Sequence, residues 1–97
     1  MGSHAAEEKA LVKACIDQVQ RTLDAVAQAR GYDDIKSAAL RAGYPGPFHD
    51  EGVEFAVWMD ECWAECYRIM AEVKAGTRPM ITLSELIEEM PAAPVLA

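Results

Sequence analysis

The stretch Trp58 to Tyr67, "WMDECWAECY", sets two cysteines, Cys62 and Cys66, four residues apart among carboxylates and aromatic rings. Thiolates one helical turn apart can serve as metal ligands, and Cys15 with His49 would complete a tetrahedral set of four. Structural zinc sites, however, draw on close Cys-x-x-Cys pairs in turns, and the chain has none. A disulfide between Cys62 and Cys66 is disfavoured because side chains one turn apart on a helix do not present the required Cβ geometry. The cysteines therefore read as small buried hydrophobes, with no metal and no cofactor expected. Glu61 and Glu65 form the nearest carboxylate pair, but on a convex helix face without a cleft. His49 is the one histidine after residue 4, the serines are Ser3, Ser37 and Ser84, and no glycine-rich phosphate loop is present. No catalytic residue is assigned, and the expectation is a protein that is not an enzyme.

The elements that carry these residues are helical. Val12, Ile16, Val19, Leu23 and Val26 alternate spacings of four and three, with Leu11 and Cys15 beside them, which predicts a helix from about residue 5 to 30. Arg30 suits its last turn and Gly31 its left-handed cap. A short second helix follows, with Asp33 or Asp34 as N-cap, Ile35, Ala38, Ala39 and Ala42 as its buried side and Gly43 as its stop. "YPGPF" breaks the chain in an ordered turn, since Pro45 and Pro47 fix φ and lack donors. A long third helix begins near His49 or Asp50, whose acids complement the N-terminal dipole, and ends at Lys74-Ala75-Gly76. Thr82-Leu83-Ser84-Glu85 is a capping-box pattern ahead of a fourth helix with Leu83, Leu86, Ile87 and Met90 on one face, ended by Pro91. No strand pattern is visible. The fold expected is all-α, a small bundle whose first and third helices form a long antiparallel pair, with two short helices added. Residues 1–4 read as an expression-tag remnant without signal-peptide character, residues 5–91 as one helical domain, and residues 92–97 as a loosely held tail.

At about 100° per residue, Phe55, Met59, Cys62, Cys66, Ile69 and Val73 fall on one line of the third helix, which places both cysteines mid-stripe. Glu54, Glu61, Glu65 and Glu72 form a second, acidic stripe, with Trp58 on the boundary and Trp63 and Tyr67 at the opposite edge of the apolar face. Most acidic stripes are solvated faces, and many edge tryptophans are core fillers. Yet an indole ringed by acids also suits a binding anchor, so Trp58, Glu54, Glu61, Glu65, Trp63 and Tyr67 are the candidate partner-binding residues. The apolar faces of the first and third helices exceed what a four-helix monomer easily covers, so a dimer is expected.

Charge narrows the partner. The chain has a net charge of −7, and all of the excess lies after Gly43, where ten acids face only Arg68, Lys74 and Arg78. Clustered lysine and arginine are needed to follow a phosphate backbone, so no nucleic acid is expected and a basic protein surface is. No apolar run approaches the roughly 20 residues of a membrane span, so no membrane partner is expected either. Three cysteines, an odd number, argue against a secreted disulfide framework.

The segments "GYDDIKSAALRAG", "PFHDEGVEFAVWMDECWAECY" and "EVKAGTRPMITLSELIEEMP" together resemble a small domain of unknown function from tailed-phage and prophage proteins, encoded near tail-fibre and tail-assembly genes. The resemblance covers Gly31 to Pro91 and leaves the first helix as a coiled-coil-like addition. It implies a setting rather than a reaction: a minor structural subunit or assembly chaperone that binds a phage tail or tail-fibre protein, in the host cytoplasm during assembly or in the virion. The alternative is a small acidic phage inhibitor occupying a basic groove of a host defence or nucleic-acid-binding protein.

Overall fold

The computed structural model describes residues 3–96, with side chains from Ala6 onward. Its elements are α1 (Ser3–Ala29), α2 (Ile35–Leu40), a 3₁₀ turn (Arg41–Gly43), α3 (His49–Ala75) and α4 (Leu83–Glu88). There is no strand among the described residues, and the fold is all-α. The tag reading falls on Met1 and Gly2, outside the described residues, and on Ser3 and His4, whose backbone already belongs to α1.

Local chemistry sets each boundary. Gly31 (φ 101°) and Gly76 (φ 79°) take the left-handed conformation that closes α1 and α3. After α1, Tyr32 N–H donates to the Ala27 carbonyl; after α3, Thr77 N–H donates to that of Glu72. Asp34 caps α2 by accepting from Ser37 N–H at 2.7 Å, and Thr82 and Glu85 form the reciprocal capping box of α4. Beyond Leu40 the backbone tightens into a 3₁₀ turn instead of carrying α2 on to Ala42. There it meets α3 at Gly52, where a Cβ would lie 2.6 Å from Ala42 N and 2.7 Å from Arg41 Cβ.

Helices α1 and α3 pack antiparallel. Arg30 at the end of α1 pairs with Glu51 at the start of α3, and at the other end Leu11 and Val12 share a groove with Met70 and Val73. Cys15, Val19, Leu23 and Ala27 of α1 face Phe55, Trp58, Cys62, Cys66 and Ile69 of α3, all buried. On α1 the buried line runs at steps of four through Cys15 and Ala27, leaving Ile16 and Val26 half-buried and Val12 exposed. Ridges formed by every fourth residue interlock between helices, which selects that line over the heptad one.

Two flanks of this seam need cover. Ile35 and Ala38 of α2 close one flank near the start of α3, and Ile81 and Leu86 add to the core from the last segment. The chain after α4 turns back along the bundle: Trp58 Nε1 donates to the Pro91 carbonyl at 2.9 Å, and Leu96 packs against the core near Tyr32 and Phe48. Of the tail expected to be loose from residue 92, Leu96 packs on the core, and together with Pro91, held by Trp58, the described residues 91–96 form a strap. Much of the apolar face that motivates a dimer is covered by α2, α4 and this strap. The molecule is a rod of 55 × 22 × 21 Å.

Two predictions follow from these contacts. Gly→Ala inside a helix ordinarily gains about 1 kcal/mol. Gly52→Ala should instead lose about 1–3 kcal/mol in urea denaturation, because the added methyl meets backbone atoms that cannot step aside. Glu51 accepts from the Tyr32 hydroxyl at 2.6 Å and pairs with Arg30, and these contacts, the tyrosine's first, hold its carboxyl below the usual range. A carboxyl with a depressed folded-state pKa adds stability above its unfolded value of about 4.3, and that contribution is lost as pH falls through the folded value. Glu51→Gln should therefore lower the melting temperature at pH 7, with the gap to wild type closing on acidification below about pH 4.

Candidate functional site

The candidate residues separate into three groups once α3 is placed. Trp58 is only 5% exposed and its indole N–H is committed to Pro91, so it is a core residue under the strap and not a rim anchor. The strap crosses beside the indole at Pro91, which covers the residue that the sequence left at a boundary.

The acidic stripe is also divided. Arg68 bridges Glu65 and Glu72, and Arg78 pairs with Glu72 and bidentately with Glu89, tying the end of α3 to α4. The Arg68 guanidinium holds the Glu65 carboxyl below its usual value, and the charges of both Glu65 and Glu72 are offset by ion pairs within the fold. Glu54 and Glu61 remain exposed and, among the described residues, make no ion pair. Trp63 is half-buried and stacks on Tyr67 with ring centroids 5.9 Å apart; Tyr67 itself is 55% exposed.

What sequence reasoning missed is the outward line of α3. Val53 and Val57 are 39% and 51% exposed, and with Ala64 and Ala71 they run at spacings of four, seven and seven along the side away from the core. Asp60 and Glu61 flank this line and Tyr67 stands at its edge. The spacing was present in the sequence, hidden by the stronger apolar line of the opposite face. Aliphatic and aromatic surface edged by unpaired carboxylates can give a partner desolvated contact together with attraction to positive charge.

The alternative ligand set does not assemble. Cys15, Cys62 and Cys66 are buried in the seam, whereas His49 sits in the first turn of α3 beside Asp50, 13 residues and about 20 Å along the helix from Cys62. Among the described residues no three His, Cys, Asp or Glu side chains converge as a metal site requires. Burial pushes the Cys62 thiol up to about 11, aided by the nearby Glu61 charge, and the Cys66 thiol to about 11 as well; Cys15 is raised by the same cause. Thiols in that state are poor nucleophiles at neutral pH.

The thiols give a direct measurement. At pH 8 an aromatic disulfide reagent should modify none of the three cysteines rapidly in the folded protein, and all three in guanidinium. Fast labelling of the native protein would place at least one thiolate at the surface. No helix among the described residues is long and apolar enough to cross a membrane. No protein-family model matches the chain, nor does any curated protein or solved structure.

Proposed function

We propose that the protein is a non-enzymatic, phage tail-associated binding protein, a minor structural subunit or assembly chaperone, that engages a tail or tail-fibre protein through the outward side of α3. The observation that carries the binding mode is the exposed line of Val53 and Val57, with Tyr67 at its edge and the unpaired carboxylates of Glu54 and Glu61 alongside. Burying two valines and a tyrosine against a partner supplies contact energy, and carboxylates at the rim govern the rate and salt dependence of encounter. The phage setting is supported by the sequence resemblance over Gly31 to Pro91. A basic partner surface fits the ten acids against three basic residues after Gly43.

The test is binding of purified tail-fibre protein by surface-immobilised wild type and variants. Val57→Asp with Tyr67→Ala should weaken binding by about 2 kcal/mol or more with little change in melting temperature, since neither side chain is buried. Glu54→Lys with Glu61→Lys should slow association and flatten its salt dependence. Trp58→Ala serves as the opposite control and should cost about 3–5 kcal/mol of stability. Wild-type affinity in the Val57→Asp, Tyr67→Ala protein would remove this face from the function. Binding to a basic host protein in place of the tail fibre would favour the inhibitor reading.

A further inference from the structure

The same seam that is filled at one end is open at the other. A groove of about 600 Å³ runs between the first half of α1 and the last turns of α3, floored by Leu11, Val12, Ile16, Met70, Val73 and Ile81. Its rim carries Lys9, Lys13 and Lys74 against a single carboxylate, Glu8. In a chain with sixteen acids and nine basic residues, this is a local reversal of sign. Among the described residues Lys13 alone of the three lysines is in an ion pair, with Asp17, in an exposed contact worth little.

The position of the groove indicates the shape of what fits. Met70 follows Gly52 by 18 residues, five full turns of about 3.6 residues, so both lie on one line of α3. On α1, Lys13 and Asp24 are 11 residues apart, close to three turns, and share a line in the same way. Gly52 is where the segment after α2 meets α3, and Asp24 accepts from Ile35 N–H at the start of α2. The groove is therefore the continuation of the flank that α2 occupies. On the other flank α4 and the strap run back toward the start of α3, while α2, six residues long, stops short. What is left is a trough between two antiparallel helices, which accepts the apolar ridge of a third helix.

We infer that this groove is a second docking site, which takes an acidic amphipathic helix of two to three turns from a partner protein. The apolar residues of that helix, spaced i, i+3 or i+4, and i+7, sit on Val12, Ile16 and Met70, and its flanking Asp and Glu meet Lys9, Lys13 and Lys74. A second copy seated groove to groove is disfavoured, because a two-fold contact would set the two lysine rims against each other. The site is separate from the outward side of α3 and has the opposite charge preference, so the two surfaces can be disabled independently.

The probe is a designed 14-residue helical peptide with leucines at those spacings and glutamates beside them, compared with the same peptide carrying lysines in place of the glutamates. The glutamate peptide should bind at least about tenfold tighter, with the difference shrinking as salt rises. In the Lys9→Glu, Lys13→Glu, Lys74→Glu protein the preference should invert, and Val12→Glu, at a position already 37% exposed, should abolish binding of the glutamate peptide. Val57→Asp should leave it unchanged. Equal affinity for both peptides, or binding insensitive to Val12→Glu, would overturn the proposal. So would light scattering that shows a wild-type dimer dissociated by Val12→Glu, since a second copy would then be the occupant. Selective uptake of a long-chain fatty acid in place of either peptide would assign the groove to a lipid instead.

Discussion

Two helices laid side by side bury only the seam between them, and a seam has two open flanks. Everything else in this protein answers that constraint. Cys15, Val19, Leu23 and Ala27 meet Phe55, Cys62, Cys66 and Ile69 along the seam, and each flank must then be closed by chain from elsewhere. One flank receives α2, and the 3₁₀ turn that follows it comes to backbone contact with α3 through the missing side chain at Gly52. The other receives α4 and the returning strap, fastened by the indole of Trp58. Cysteine supplies a compact apolar side chain among the larger Leu23, Phe55 and Ile69 of the seam.

The helical elements and their caps were legible in the sequence because they depend on neighbours. Gly31, Gly76, Asp34 and the Thr82-Glu85 box act within a few residues of themselves. Cys62 and Cys66 were also legible, since their place on the apolar line follows from period alone. Trp58 was not. Its position at the edge of that line is consistent with either a rim or a core, and the deciding fact is a carbonyl 33 residues away. The pairing of Arg68 with Glu65 and Glu72 follows from i, i+3 and i, i+4 spacing within α3, whereas the further contact of Glu72 with Arg78 is one that a helical projection of α3 does not contain. The exposed valines had a readable spacing, but a weak pattern on the back of a helix is masked by the strong one that forms its core.

The distribution of charge differs from what the composition suggests. Arg68 is engaged by Glu65 and Glu72 within α3 and Arg78 joins Glu72 to Glu89, so the acids of α3 left exposed without an ion pair among the described residues include Glu54, Asp60 and Glu61. Three of the four lysines, Lys9, Lys13 and Lys74, gather at the far end, on α1 and the last turn of α3. The groove rim thus carries Lys9, Lys13, Lys74 and Glu8, whereas the back of α3 carries Glu54, Asp60 and Glu61.

The strap also sets the order in which the molecule comes apart. The hydrogen bond from Trp58 to Pro91 joins residues distant in the chain, and among the described residues beyond it Leu96 packs against the bundle again. Closing so wide a loop costs chain entropy, and few buried groups repay it, whereas the caps and the seam are held by denser contacts. Residues 91–96 thus form the weakest cooperative unit among the described residues, which can lift from the bundle while α4 and the two long helices stay packed. Such a release would bare the indole, so the emission of Trp58 would report the opening without disturbing either helix.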